Sequence, residues 1–272
     1  MHYEAAGFEI RTENAAKPVS QPSTYLRDWL LSHLAVSEAL DYGCGKLRYT
    51  GYLAKVAGFV AVVDSEIQLS RVQTIAGLQT SIREFVARRW PNVRAYNVSE
   101  FSRVAPRFEL ALCANVLSAI PQKGPRIEAI RVVASHLNQA GVGLFTVQSR
   151  NSYFKAWASD PKARRYGDGW LVPSDGRASF YGIITRPKLE RLVSEAGMHV
   201  VKSWVHGESS YVLAAGRSRV ITSPNFVERR RVAAPACGDR FTRPAKSAPS
   251  RQVKEQRRGP GRDQFDERFI DR

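Results

Sequence analysis

The chain has 272 residues and carries 41 Lys/Arg against 25 Asp/Glu, a formal net charge of +16. It holds no run of 18 or more apolar residues, so no transmembrane helix is expected. It also lacks a basic segment followed by an apolar core near its start, so no secretory signal is expected. The three cysteines, Cys44, Cys113 and Cys237, show no C-x-x-C spacing. That argues against a bound metal or a disulfide framework and for reduced packing residues in a cytoplasmic protein.

Residues 1–21 are polar and without periodicity, and read as a flexible segment ahead of a domain spanning 22–216. Pro22 opens a helix that places Leu26, Trp29, Leu30, His33 and Leu34 on one face. Tyr25 on this helix could face a ligand, but packing is the simpler role for both Tyr25 and His33.

The stretch Ala39-Leu40-Asp41-Tyr42-Gly43-Cys44-Gly45-Lys46 follows. It reads as a buried strand ending in an acid and a glycine turn into a helix, where unpaired N–H groups can meet polar ligand atoms. A phosphate-binding P-loop requires Gly, four residues, then Gly-Lys-Ser/Thr. Gly43-Cys44-Gly45-Lys46-Leu47 has neither that spacing nor the hydroxyl. A dinucleotide fingerprint needs a small residue at position 48, which is Arg48. Next, Phe59-Val60-Ala61-Val62-Val63 forms an apolar run suited to a strand buried on both faces. It ends in Asp64, where a carboxylate can accept from ribose hydroxyls or cap the helix that follows. Val93-Arg94-Ala95-Tyr96-Asn97 reads as a third strand, and Phe108 to Ala114 as a fourth running into Asn115-Val116-Leu117.

A helix over Arg126–Leu137 and a fifth strand over Val142–Val147 come next. Thr185, Pro187 and Gly197 bracket a helix with Leu189, Leu192, Val193 and Ala196 as its stripe. His199–Val205 and Ser209–Ala215 then read as two strands joined by His206-Gly207-Glu208. Alternation of strands and helices with crossover-length connections predicts an α/β sheet with helices on both faces.

Asp41-Tyr42-Gly43-Cys44-Gly45 closely resembles the Asp-x-Gly-x-Gly loop of class I S-adenosylmethionine (SAM) dependent methyltransferases. The fourth strand with its Asn-Val-Leu turn and the closing hairpin are similar to the same family, over about residues 24–216. The resemblance implies a seven-stranded, mostly parallel Rossmann-like sheet ending in an antiparallel hairpin strand. It implies SAM as cofactor, with Asp41, Gly43, Cys44 and Gly45 at its methionine end, Asp64 at the ribose and Asn97 at the adenine amino group. NAD-binding domains normally lack such a hairpin. Many relatives carry His where this chain has Ser118 and Ala119, which removes a ready base. Asn115 is the first candidate on the acceptor side, with Tyr153, Tyr181 and His206 behind it. No Asp/Asn-Pro-Pro-Tyr/Phe quartet is present, which counts against amino methylation of adenine or cytosine. The two functional expectations are methyl transfer by in-line displacement to an unidentified acceptor, and a catalytically silent SAM- or partner-binding module.

Residues 148–184 are long for a connection and rich in aromatic and basic side chains, and read as an acceptor pocket or lid. Residues 217–272 contain 15 Lys/Arg and 7 Asp/Glu, with little periodicity, and read as a disordered basic tail able to contact nucleic acid.

Overall fold

The computed structural model describes residues 3–33, 35–105, 107–149, 157–174 and 176–216. The expected tail, 217–272, and the candidate Tyr153 lie outside the described residues.

The chain begins with two short strands, β1 (Tyr3–Ala5) and β2 (Phe8–Ile10), and a 3-10 turn over Thr12–Ala15. Helix α1 (Thr24–His33) leads into β3 (Val36–Tyr42), α2 (Thr50–Val56), β4 (Ala57–Asp64) and α3 (Glu66–Ser70). A small hairpin, β5 (Gln73–Ile75) and β6 (Leu78–Thr80), precedes α4 (Ile82–Arg89), β7 (Val93–Asn97) and α5 (Val98–Phe101). Then come β8 (Phe108–Ala114), α6 (Lys123–His136) and β9 (Leu137–Gln148). Three strands follow, β10 (Arg164–Tyr166), β11 (Gly169–Ser174) and β12 (Arg177–Gly182). Helix α7 (Arg186–Glu195) and the hairpin β13 (Met198–His206) and β14 (Ser209–Gly216) close the described chain.

Seven strands form the main sheet in the order β13-β14-β9-β8-β3-β4-β7. Neighbours from β9 to β7 pair in parallel, while β14 runs antiparallel to both β9 and β13. This is the expected architecture. Its core follows from strand periodicity. Val60, Val62, Leu110 and Leu112 pack on one face with Leu26, Leu30, Leu53 and Phe85 from α1, α2 and α4. Ala61, Val63, Ala111 and Cys113, one residue out of phase, pack on the other with Ile130, Val133, Leu189 and Leu192 from α6 and α7.

Two expectations need correction. The first residues are not a flexible leader: β2 pairs in parallel with β12, Glu9 beside Arg177 and Ile10 beside Ala178, and β1 pairs with β2. Tyr3, Ala5 and Ile10 are buried in the core. The segment 148–184 is also more than a loop, because β10, β11 and β12 form an antiparallel meander. Together these strands make a second sheet, in the order β1-β2-β12-β11-β10.

An ion cluster fastens this second sheet to the main body. The Arg126 guanidinium, only 2% exposed, donates to Asp168 Oδ2 at 2.5 Å and Oδ1 at 2.9 Å, and its Nε donates to Ile120 O at 2.7 Å. Lys188 Nζ from α7 donates to the same carboxylate at 2.5 Å. Burial pushes the Asp168 carboxyl up, and the two cations more than reverse this, holding it below its ordinary value.

Candidate functional site

The parallel strands end in line, and a cavity of about 350 Å³ opens at those ends. In an open α/β sheet this edge is where ligands bind. The turn after β3 is fixed to its neighbour: the N–H groups of Gly43 and Cys44 both donate to Val63 O, at 2.8 and 3.1 Å. Gly43 and Gly45 hold φ values of +71° and +55°. A Cβ on Gly43 would lie 2.2 Å from Val116 Cγ2, so glycine is required there by space as well as by conformation.

Two buried carboxylates flank the turn. Asp41 accepts from Thr50 Oγ1 at 2.6 Å. Burial pushes its carboxyl up to about 7, against the Thr50 hydrogen bond, and the nearby Asp64 adds to the rise. Asp64 accepts from Gly45 N–H and Ser65 N–H, each at 2.8 Å, and Cys44 Sγ stands 3.9 Å from its Oδ2. Burial pushes Asp64 up to about 6 even so. The helix after Asp64 is capped by Ser65, whose Oγ accepts from Gln68 N–H at 3.2 Å. That frees Asp64 from the capping role.

Asp41, Gly43, Cys44, Gly45, Asp64 and Asn115 all line the cavity. Asn97 does not. Its Oδ1 accepts from Glu100 N–H at 2.8 Å in a capping box at the start of α5, and its Nδ2 donates to Glu66 Oε2 at 2.8 Å. Both ends of the amide are committed, and Val98 is the lining residue instead.

Asn115 follows β8 directly and holds φ +64°. Its N–H donates to Thr146 O at 2.8 Å, while its Oδ1 is buried without a partner among the described residues. Ser118 Oγ and the Tyr42 hydroxyl, also in the lining, are likewise buried and unpartnered. Asn tolerates the left-handed region better than most residues. Tyr181 lines the cavity as well, whereas His206 stacks on Tyr25 with ring centroids 3.8 Å apart, and neither of those two belongs to the lining.

The N-terminal segment supplies lining that the sequence reading missed. Glu13 is buried, and its Oε1 accepts from Ser65 Oγ at 3.2 Å. Lys17 lies half-buried near Arg48, and burial and that like charge lower its ammonium. Gln68 donates through Nε2 to Gly45 O at 2.7 Å and leaves its Oε1 buried and unpaired.

The strand order, the antiparallel β14 and the acid-flanked glycine turn define the class I SAM-dependent methyltransferase fold. The structure is similar to that of a SAM-dependent methyltransferase from Clostridium acetobutylicum, with TM-score 0.51 and 15% identity over 75% of this chain and 94% of the other. It is also similar to the PH0226 protein from Pyrococcus horikoshii, with TM-score 0.55 and 13% identity over 71% and 88%. No family model matches the sequence. The chain belongs to the same family as the uncharacterized protein YmfD of Escherichia coli K12, to which it is 33% identical over 212 residues, 78% of this chain and 95% of YmfD.

Proposed function

We propose that the chain is a SAM-dependent methyltransferase acting on an acceptor other than the cofactor itself. The observation that carries this reading is the pair of buried acids, Asp41 and Asp64, on either side of the Gly43–Gly45 turn. Two carboxylates lifted by burial call for a ligand bearing positive charge and hydroxyl donors. SAM offers both: an ammonium and sulfonium, and a ribose diol. Asp41 and the turn would hold its methionine end and Asp64 its ribose, with Val98 beside the base. When bound, SAM supplies an electrophilic methyl group.

The protein's part is to align and to exclude water. Pre-alignment of reacting groups is worth about 7–11 kcal/mol. The cavity walls keep the acceptor in place, and Asn115 orients it. No His lines the cavity among the described residues, so proton removal by the protein is not part of the reading. That same observation favours a second reading, a SAM-binding module without turnover.

Calorimetry with SAM, S-adenosylhomocysteine (SAH) and NAD tests the cofactor. Tight binding of SAM and SAH with none of NAD is the expected result, and NAD binding alone would overturn the proposal. Transfer of labelled methyl to any fraction of a cell extract separates the enzyme from the silent module.

No helix among the described residues is long and apolar enough to cross a membrane. Cys44 and Cys113 are free and buried, which supports placement in the reducing cytoplasm. We assign the basic stretch 217–272 a role in contacting nucleic acid, from its charge alone. Truncation at Arg217 should then lower affinity for RNA or DNA and flatten its salt dependence.

A further inference from the structure

The cavity wall built by the second sheet and by the turn after β8 differs in chemistry from the rest. It consists of Tyr3, Phe180 and Tyr181, with Trp157, Asn115 and Ser118. None of these side chains is charged. The segments 12–21 and 41–48 bring Glu13, Lys17, Asp41, Lys46 and Arg48 to the same cavity. Its charge therefore lies on the wall assigned to the cofactor. The rings of Trp157 and Tyr181 lie with centroids 4.1 Å apart, so their aromatic surface is continuous.

Asn115 Oδ1 and Ser118 Oγ in this wall are buried and have no hydrogen-bond partner among the described residues. Native proteins leave few such atoms unpaired, and each asks for an explanation. Asn115 Oδ1 is a pure acceptor, so it calls for a donor. The residue that presents it is held at φ +64°, a conformation retained where surrounding structure enforces it.

We propose that this wall binds a neutral, planar nitrogen heteroaromatic whose ring N–H donates to Asn115 Oδ1. The proposal rests on the methyltransferase reading, in which this molecule is the methyl acceptor. Planarity follows from the aromatic surface, which favours stacked or edge-on rings. Neutrality follows from the lack of a counter-charge among the described residues of this wall, since burying an unpaired ion is costly. Ring nitrogen follows from the lack of a His, Asp or Glu among the described residues of the wall: an aliphatic alcohol would need such a base, whereas a second, pyridine-type ring nitrogen has an in-plane lone pair that would bond to the methyl carbon as its S–CH3 bond breaks and SAH leaves, the ring N–H proton then passing to water.

The test is calorimetry on the full chain, with and without saturating SAH, using benzimidazole, 1-methylbenzimidazole, benzoate and cyclohexanol as probes. Benzimidazole binds, 1-methylbenzimidazole binds at least fivefold more weakly, and benzoate and cyclohexanol do not bind. Asn115→Gly, which accepts the left-handed backbone, abolishes the difference between the two benzimidazoles. Tyr181→Leu weakens both. SAH binding without benzimidazole binding, or equal affinity for the two benzimidazoles, overturns this proposal and leaves the cofactor reading intact. Absence of SAH binding overturns the cofactor reading and this proposal with it.

Discussion

Gly45 donates its backbone N–H to Asp64 Oδ2 at 2.8 Å, which makes the glycine turn and the acid at the end of β4 one unit. Ser65 N–H holds the other carboxylate oxygen at 2.8 Å. The acid is thus aimed before any ligand arrives, and its remaining lone pairs are left for hydroxyl donors. Replacing it by Asn exchanges one acceptor oxygen for a donor, which cannot accept from both amides. Asp64→Asn is expected to weaken SAH binding at least tenfold, about 1.4 kcal/mol. Calorimetry measures it, and circular dichroism checks that the fold survives. Unchanged affinity would remove Asp64 from the site.

The acids also predict a pH dependence. Asp41 and Asp64 reach about 7 and about 6 in the folded chain, against about 3.9 when unfolded. Both are raised, so between those limits the folded state holds protons that the unfolded chain has released. Their contribution to stability is full below about pH 4 and is lost as pH rises through 6 and 7. A cationic ligand favours the ionised carboxylates and acts in the opposite sense. SAM is therefore expected to raise the melting temperature more at pH 8 than at pH 5.5, and to release protons on binding near pH 6.5. Calorimetry in buffers of different ionisation enthalpy counts those protons. Asp41→Asn should remove most of the release near pH 7, and zero release in the unmodified chain would refute the linkage.

Much of this site was legible in the sequence because β4 and β8 carry apolar runs and β3 closes on a glycine turn, so each announces where it ends. Asp41 is the next-to-last residue of β3, Asp64 the last of β4, and Asn115 the first after β8. Asn97 was misplaced because its position after a strand outweighed a local signal: Glu100 stands three residues on, the spacing of a capping box, and the amide turns to the helix instead of the cavity. The N-terminal strands were illegible for a different reason. Each has three residues, too few to show a period of two, and β2 finds its partner in β12, about 170 residues away in sequence. Lys17 and Glu13 reach the cavity only through that pairing, so no local pattern marks them.

That pairing makes truncation informative. Deleting residues 1–21 removes β1, β2 and the lining contributed by Tyr3, Glu13 and Lys17. It also exposes the edge of β12 and the core around Ile10, which is 2% exposed. The truncated chain is expected to lose SAH binding and to melt several degrees lower, since burial of a residue such as Ile contributes about 1.5–3 kcal/mol. Differential scanning fluorimetry with and without SAH checks both. A truncated chain with full affinity and an unchanged melting temperature would restore the flexible-leader reading.

Gly43 gives a sharper probe of the turn. Alanine there faces a left-handed backbone, which costs roughly 1–2 kcal/mol, and a Cβ only 2.2 Å from Val116 Cγ2. Val116 must move, and it is the residue next to Asn115. Gly43→Ala is expected to lower stability by about 2 kcal/mol and to weaken SAH binding together with it. Gly43→Ala combined with Val116→Ala relieves the clash but not the backbone strain. Urea denaturation should therefore show partial recovery of stability. Full recovery would mean that space alone, and not conformation, dictates glycine at this position.

The Arg126–Asp168 pair predicts an asymmetry. Asp168 has two cationic partners, Arg126 and Lys188, while the Arg126 guanidinium, only 2% exposed, has one carboxylate. Removing the acid strands a buried cation, and breaking a buried pair in that way costs about 3–5 kcal/mol. Removing the arginine leaves the acid still paired with Lys188, and a methionine fills much of the vacated volume. Asp168→Ala should therefore destabilise the chain more than Arg126→Met. The double variant should be more stable than Asp168→Ala alone, because the stranded charge is gone. A double-mutant cycle by urea denaturation reads the coupling directly. If the two single variants cost the same and their effects add, the pair does not anchor the second sheet.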